Sequence, residues 1–132
     1  MLYNNEQKEI KEVEALFIIR KNSRDTSIKI SSTDNTSIIF TISDNDFDPR
    51  NLEVNKKIDF IKHIYWDVTL KTKDTYYLFD LTKEIVELTR LDDNKYNLKV
   101  QIEKPDIIYT PAEDKFHNLQ IDTDFSFIYD EK

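Results

Sequence analysis

The sequence predicts an all-β fold, an antiparallel β-sandwich or a curled sheet or barrel of about eight strands. The first observation is the alternation of apolar and polar residues, which is clearest over residues 119–129. The second is a turn rich in asparagine and aspartate about every ten residues, a spacing typical of meandering β proteins. The third is an enrichment of β-branched and aromatic residues between these turns.

The N-terminal region supports two interpretations. Within residues 5–16, Ile10, Val13 and Leu16 lie at helical spacing behind an asparagine that could cap a short helix. Over residues 13–19, apolar side chains recur at every second position, which indicates a strand. We therefore expect either a short N-terminal helix or a first strand in this region.

Further strands are predicted in chain order at residues 28–30, 38–42, 66–70, 96–102 and 119–129. Each run has one apolar face and one polar face. A sheet with one solvated face is typical of antiparallel pairing.

Two other segments have apolar residues at helical spacing. Residues 58–65 could form one or two helical turns before the strand that starts at Trp66. Residues 81–91 have the same spacing, but the β-branched Val86 and Thr89 favour a strand of a hairpin.

The turns must form without glycine, because the chain contains none. Tight two-residue hairpin turns require a positive φ, which only asparagine and aspartate adopt readily among the other residues. We therefore expect several longer loops in place of tight turns. Pro49, Pro105 and Pro111 are expected in loops or at sheet edges.

The absence of glycine and cysteine excludes several classes of enzyme. Phosphate-binding glycine loops and the nucleophile elbow of hydrolases both require glycine. Without cysteine, the chain has no disulfide framework, no zinc–thiolate site and no cysteine nucleophile. His63 and His117 form no spaced ligand pair. We therefore expect no catalytic residues, no cofactor and no metal.

The charge and hydropathy patterns limit the partners. The 132 residues include 26 acidic and 19 basic side chains, for a net charge of −7, and no basic cluster suited to phosphate contacts. Apolar runs are far shorter than the roughly 18 residues of a membrane-spanning helix. We expect a single domain over residues 1–132, in the cytoplasm, with no nucleic-acid partner and no membrane contact.

Two groups of aspartates invite chemical interpretations. The alternating aspartates of residues 44–48 resemble the first ligands of a calcium loop, but Pro49 occupies the position at which an EF-hand needs glycine. An Asx-turn is the favoured interpretation there. Asp122 and Asp124 lie about 7 Å apart on one strand face, as paired catalytic carboxylates can. Surface solubility and protection of an edge strand are favoured for that pair.

Aromatic residues give the strongest functional signal. Neighbouring residues in a strand point to opposite faces, so Tyr65 and Trp66 cannot both lie in the core, nor can Tyr76 and Tyr77. Tyr109 belongs to an extended apolar segment. Exposed tyrosine and tryptophan are favoured anchors of protein interfaces. These five aromatic residues form the predicted interaction surface.

The sequence thus favours a non-catalytic interaction module over an enzyme. The expected function is that of a small acidic partner-binding protein, either an inhibitor or immunity-type binder or an assembly subunit of a viral or phage-like particle. The expected partner is another protein or a second copy of the chain. The alternative is a small-ligand or carbohydrate-binding β-barrel in which Trp66, Tyr76 or Tyr77 lines a groove.

Overall fold

Strands with alternating apolar and polar residues assemble into two facing sheets in the computed structural model of the protein. The two sheets are mostly antiparallel, so the predicted all-β sandwich is confirmed. Trp66, Asp67 and Ile108 are described by their backbone alone. The structure describes residues 1–42, 44–59, 66–81, 84–103, 105–110 and 116–131.

Across these ranges the chain forms thirteen strands, more than the eight or so predicted, and three of them contain only two or three residues. Such short segments carry no periodic signal. In chain order the strands are β1 (Leu2–Tyr3), β2 (Glu6–Gln7), β3 (Ile10–Ile19), β4 (Arg24–Ser32), β5 (Ser37–Ile42), β6 (Lys57–Asp59), β7 (Trp66–Lys71), β8 (Tyr76–Asp80), β9 (Ile85–Asp92), β10 (Lys95–Glu103), β11 (Asp106–Tyr109), β12 (Asn118–Phe125) and β13 (Phe127–Glu131).

The strand order defines the sheet edges. One sheet has the order β2-β1-β12-β10-β9-β6, and the other has the order β11-β8-β7-β5-β4-β3-β13. β13 pairs with β3 in parallel, whereas the other strands of the seven-stranded sheet pair antiparallel. The edges of the seven-stranded sheet are therefore β11 and β13.

The N-terminal region is a strand, so the alternative prediction of a short helix there is wrong. β3 pairs with β4 on one side and with β13 on the other. Its residues Ala15 and Phe17 are buried, whereas Leu16 between them is only half-buried. Pairing with β4 along the strand, and with β13 from Ala15 to Ile19, satisfies the backbone and outweighs the helical spacing.

The other two segments with helical spacing also form strands where they are described. Residues 85–92 belong to β9, as favoured from the sequence. Ile58 lies in β6, so no helix begins there. The remainder of that predicted helix, residues 60–65, lies outside the described residues.

Large side chains from both sheets fill the interior. Fully burying one aliphatic or aromatic side chain stabilises the folded state by about 1.5–3 kcal/mol. Large side chains with an exposure of 2 % or less include Phe17, Ile28, Ile30, Ile38, Phe40, Ile42, Leu70 and Tyr77 from the seven-stranded sheet and Leu88, Tyr96 and Leu98 from the six-stranded sheet.

The last alternating run crosses from one sheet to the other, which the sequence did not predict. Residues 119–129 were expected to form one strand. Instead β12 ends at Phe125 in the six-stranded sheet and β13 begins at Phe127 in the seven-stranded sheet. Both phenylalanines are buried, because alternation directs them to the same interior on either side of Ser126.

Asparagine supplies the positive φ angles that glycine would otherwise provide. Asn4 and Asn5, with φ of 49° and 64°, form a two-residue turn between β1 and β2. This tight turn forms without glycine, although longer loops were expected in general. Asn35 and Asn55 also have positive φ, of 68° and 65°.

Asn35 provides a test of this backbone requirement. Replacing Asn35 with alanine is expected to lower the free energy of unfolding by about 1 kcal/mol, because alanine tolerates a left-handed backbone poorly. Asn35→Gly removes that steric penalty and serves as the matched control. Urea unfolding of both variants checks the prediction, and equal loss of stability in the two would contradict it.

The aspartates of residues 44–48 form turns, as favoured from the sequence. The Asp46 N–H donates to Asp44 Oδ1 at 2.9 Å. Asp48 caps the 3₁₀ helix Pro49–Asn51 by accepting from the Arg50 N–H at 2.9 Å, and it also accepts from Arg50 Nε and Nη2 at 3.0 and 2.8 Å. Burial alone would raise the pKa of Asp48, but the hydrogen bonds and charge of Arg50 lower it.

Candidate interaction surface

The structure brings together two of the five predicted aromatic residues. Tyr76 and Tyr109 have exposed fractions of 37 % and 52 %. Tyr77 is 2 % exposed and belongs to the core, so its assignment to the interaction surface is corrected. Trp66 lies on β7 and is described by its backbone only, and Tyr65 lies outside the described residues.

The edge of the seven-stranded sheet positions the two exposed rings. β11 pairs antiparallel with β8, and a register shift after Ile107 sets Tyr109 opposite Leu78. Such a bulge redirects the side chains that follow it. The Thr110 hydroxyl donates to the Tyr76 carbonyl oxygen at 2.7 Å and ties the end of β11 to β8.

The Tyr76 and Tyr109 rings are in direct contact. Their centroids are 5.7 Å apart, with an interplanar angle of 39°. This separation lies in the range in which aromatic pairs attract each other. A hydrogen bond with the Tyr109 hydroxyl raises the pKa of Tyr76 above its ordinary value. A tyrosine hydroxyl is neutral at physiological pH without any shift, so Tyr76 can donate or accept a hydrogen bond.

A cross-strand row extends this surface across the outer face of the sheet. Tyr109 lies opposite Leu78, Leu78 opposite Thr69, and Thr69 opposite Ile39. Leu78, Thr69 and Ile39 are half-buried. The row continues to the polar Lys29, so an apolar centre is followed by a charged border. That arrangement is typical of protein interfaces.

We call Tyr76, Leu78 and Tyr109 the outer tyrosine surface. Sequence reasoning identified both tyrosines but missed Leu78. The available signal was the run from Tyr76 to Phe79, in which alternation must place one apolar residue of each adjacent pair outside the core.

The paired aspartates of the six-stranded sheet form a surface hydrogen-bond network. Asn97 Nδ2 donates to Asp122 Oδ1 at 2.7 Å and to Asp124 Oδ1 at 2.9 Å, and both carboxylates are exposed. On this open sheet face water hydrates both carboxylates and is not excluded from them. The geometry therefore favours the surface interpretation.

The histidines add no candidate site. His117 is exposed, and its backbone N–H donates to Asn4 Oδ1 at 2.8 Å, while His63 lies outside the described residues. Within the described ranges, no three histidine, aspartate or glutamate side chains are grouped so that they could hold a metal ion.

The same described residues contain no helix long and apolar enough to cross a membrane. Comparisons with protein-family models, with curated proteins and with solved structures found no match for this chain.

Proposed function

We propose that this protein is a non-catalytic interaction module that binds another protein chain through the outer tyrosine surface. The observation that carries the proposal is the contact between Tyr76 and Tyr109, which are distant in sequence yet form one exposed pair at a sheet edge. Burying a half-exposed aromatic ring in a partner is among the largest contributions to protein binding.

The proposed role is that of a small acidic partner-binding protein. It would act either as an inhibitor or immunity-type binder or as an assembly subunit of a viral or phage-like particle. The net charge of −7 favours a basic protein partner and opposes binding to nucleic acid. We further propose a cytoplasmic location, because a chain without cysteine depends on its core and not on disulfides.

The alternative, a carbohydrate-binding protein, would use the same two rings, because sugar rings stack on exposed aromatic side chains. Tyr77 cannot contribute to such a groove, since it is buried. Titration with oligosaccharides distinguishes the two functions. Displacement of a bound protein by sugars would favour the alternative.

Site-specific photo-cross-linking in the cells that make the protein tests the proposal. A benzophenone amino acid in place of Tyr109 is expected to form a covalent adduct of defined mass with a partner. The same probe in place of Asp122, which is exposed on β12 of the six-stranded sheet, serves as the control. Adducts at both positions, or at neither, would contradict the proposal.

Binding of the identified partner to purified variants gives the energetic test. Tyr76→Ser is expected to weaken binding by about 2 kcal/mol, roughly thirtyfold in Kd. Val54→Ser, which removes another exposed apolar side chain far from the outer tyrosine surface in the strand order, should leave Kd unchanged. Light scattering then shows whether the partner is a second copy of the chain.

A further inference from the structure

Two carboxylates lie beside the outer tyrosine surface. Asp106 on β11 is the direct cross-strand partner of Asp80 on β8, and both residues are exposed. The Cβ atoms of directly opposed residues are about 5 Å apart, and like charges in that arrangement destabilise a sheet. The sheet edge that exposes the two tyrosine rings therefore also concentrates negative charge at what we call the aspartate pair.

Alternation places the aspartate pair on the same face as the tyrosines. Tyr77 and Phe79 point into the core, so Tyr76, Leu78 and Asp80 point outward from β8. Side chains two positions apart on a strand are separated by about 7 Å. A long side chain lying over Leu78 can therefore place its head group at the aspartate pair while its stem contacts apolar surface.

We infer that this surface binds an arginine side chain carried by a basic segment of the partner protein. The inference rests on the proposed function, because it names the chemistry of the partner for the same surface. The forked N–H donors of a guanidinium group match carboxylate oxygens, and its planar face stacks on tyrosine rings. Lysine offers neither feature, so arginine fits the combination of rings and carboxylates better.

The net charge of the chain favours a basic partner over a second copy. A second copy has the same net charge of −7, so long-range repulsion opposes docking between copies. On this face Lys71 is the cross-strand partner of Tyr76, at the end of β8 opposite to the aspartate pair. Among the described residues of this face, Lys71 at one end and the aspartate pair at the other favour an arginine placed at the aspartate pair.

Fluorescence anisotropy with a labelled synthetic peptide of alternating arginine and valine tests the inference. We expect saturable binding that becomes about tenfold weaker in the double variant Asp80→Asn/Asp106→Asn. The matched control is Asp122→Asn/Asp124→Asn, which changes the net charge equally on the other sheet and should leave Kd within about twofold. The corresponding lysine–valine peptide should bind more weakly than the arginine–valine peptide. The glutamate–valine peptide should not bind.

Three outcomes would overturn the inference. The first is no saturable binding of the arginine peptide, and the second is equal weakening in the two double variants, which would show unspecific charge attraction. The third is a partner that still cross-links at position 109 but is not displaced by the peptide. In that last case the arginine inference fails while the proposed function stands, whereas absence of the cross-link rejects the proposed function itself. Urea midpoints of the variants confirm that they fold.

Discussion

Replacing Phe127 with alanine is expected to lower the free energy of unfolding by about 3–5 kcal/mol, a large share of the stability of a domain this size. Phe127 is 3 % exposed, and its ring centroid lies 4.8 Å from that of Tyr96 and 5.3 Å from that of Phe125. Its loss leaves a cavity where the chain crosses between the sheets. Urea unfolding measures the effect.

The neighbouring residue provides a matched control for this prediction. Ile128 is 62 % exposed on the opposite face of β13, so Ile128→Ala should change the stability by less than about 0.5 kcal/mol. Similar losses in the two variants would show that β13 does not seal the core. A loss of stability in Phe127→Ala alone would show that the Phe127 side chain packs in the interior between the two sheets.

Replacing Asp48 with asparagine is expected to cost about 1–3 kcal/mol at neutral pH. The side chain of Asp48 is 5 % exposed and caps the 3₁₀ helix while it pairs with Arg50. Asparagine retains the acceptor for the cap but removes the charge that Arg50 faces. The Arg50 side chain is 41 % exposed, so water partly replaces the lost partner and limits the effect.

The cost of Asp48→Asn should depend on pH in a defined direction. The pKa of Asp48 is lower in the folded state than its ordinary value of about 3.9. The carboxylate therefore stabilises the protein fully above that value, and the contribution is lost as the pH falls through the folded-state pKa. The difference in stability between wild type and variant should therefore narrow as the pH falls below the ordinary pKa of an aspartate.

Stability curves at several pH values for wild type, Asp48→Asn and Asp46→Asn check this prediction. Asp46 is exposed in the same loop and serves as the control, with a stability that should follow the wild type at each pH. A gap that stays constant from neutral to acidic pH would show that the Asp48 charge is not what stabilises the loop.

The local alternation of apolar and polar residues predicted the fold class. Where that pattern was ambiguous, hydrogen-bonded pairing between strands decided the structure. Residues 66–70 and 96–102 form strands where alternation predicted them. The segment from Ile10 to Leu16 fits a helix or a strand equally well by spacing, and only pairing with β4 along its length, joined by β13 from Ala15 onward, selects the strand. Periodicity reports which side chains share a face, but it does not report which backbone groups find partners.

The exposed pair of tyrosine rings was predicted in part. The dipeptide of Tyr76 and Tyr77 implied one exposed ring without saying which, and the register of β8 exposes Tyr76. Tyr109 was selected for its apolar surroundings in sequence. Its contact with Tyr76 and the opposition of Asp80 and Asp106 depend on the antiparallel pairing of β8 with β11, which no local pattern encodes.

By itself the amino-acid sequence determined the strand character of most of the chain, the acidic charge, and the use of asparagine where the backbone needs a positive φ. These properties are local, because side-chain direction alternates along any strand and φ preferences belong to single residues. Only the tertiary structure decided the split between β12 and β13 and the meeting of tyrosines and carboxylates at one edge. Strand order and register join residues far apart in the chain, and the packing of the whole core selects them.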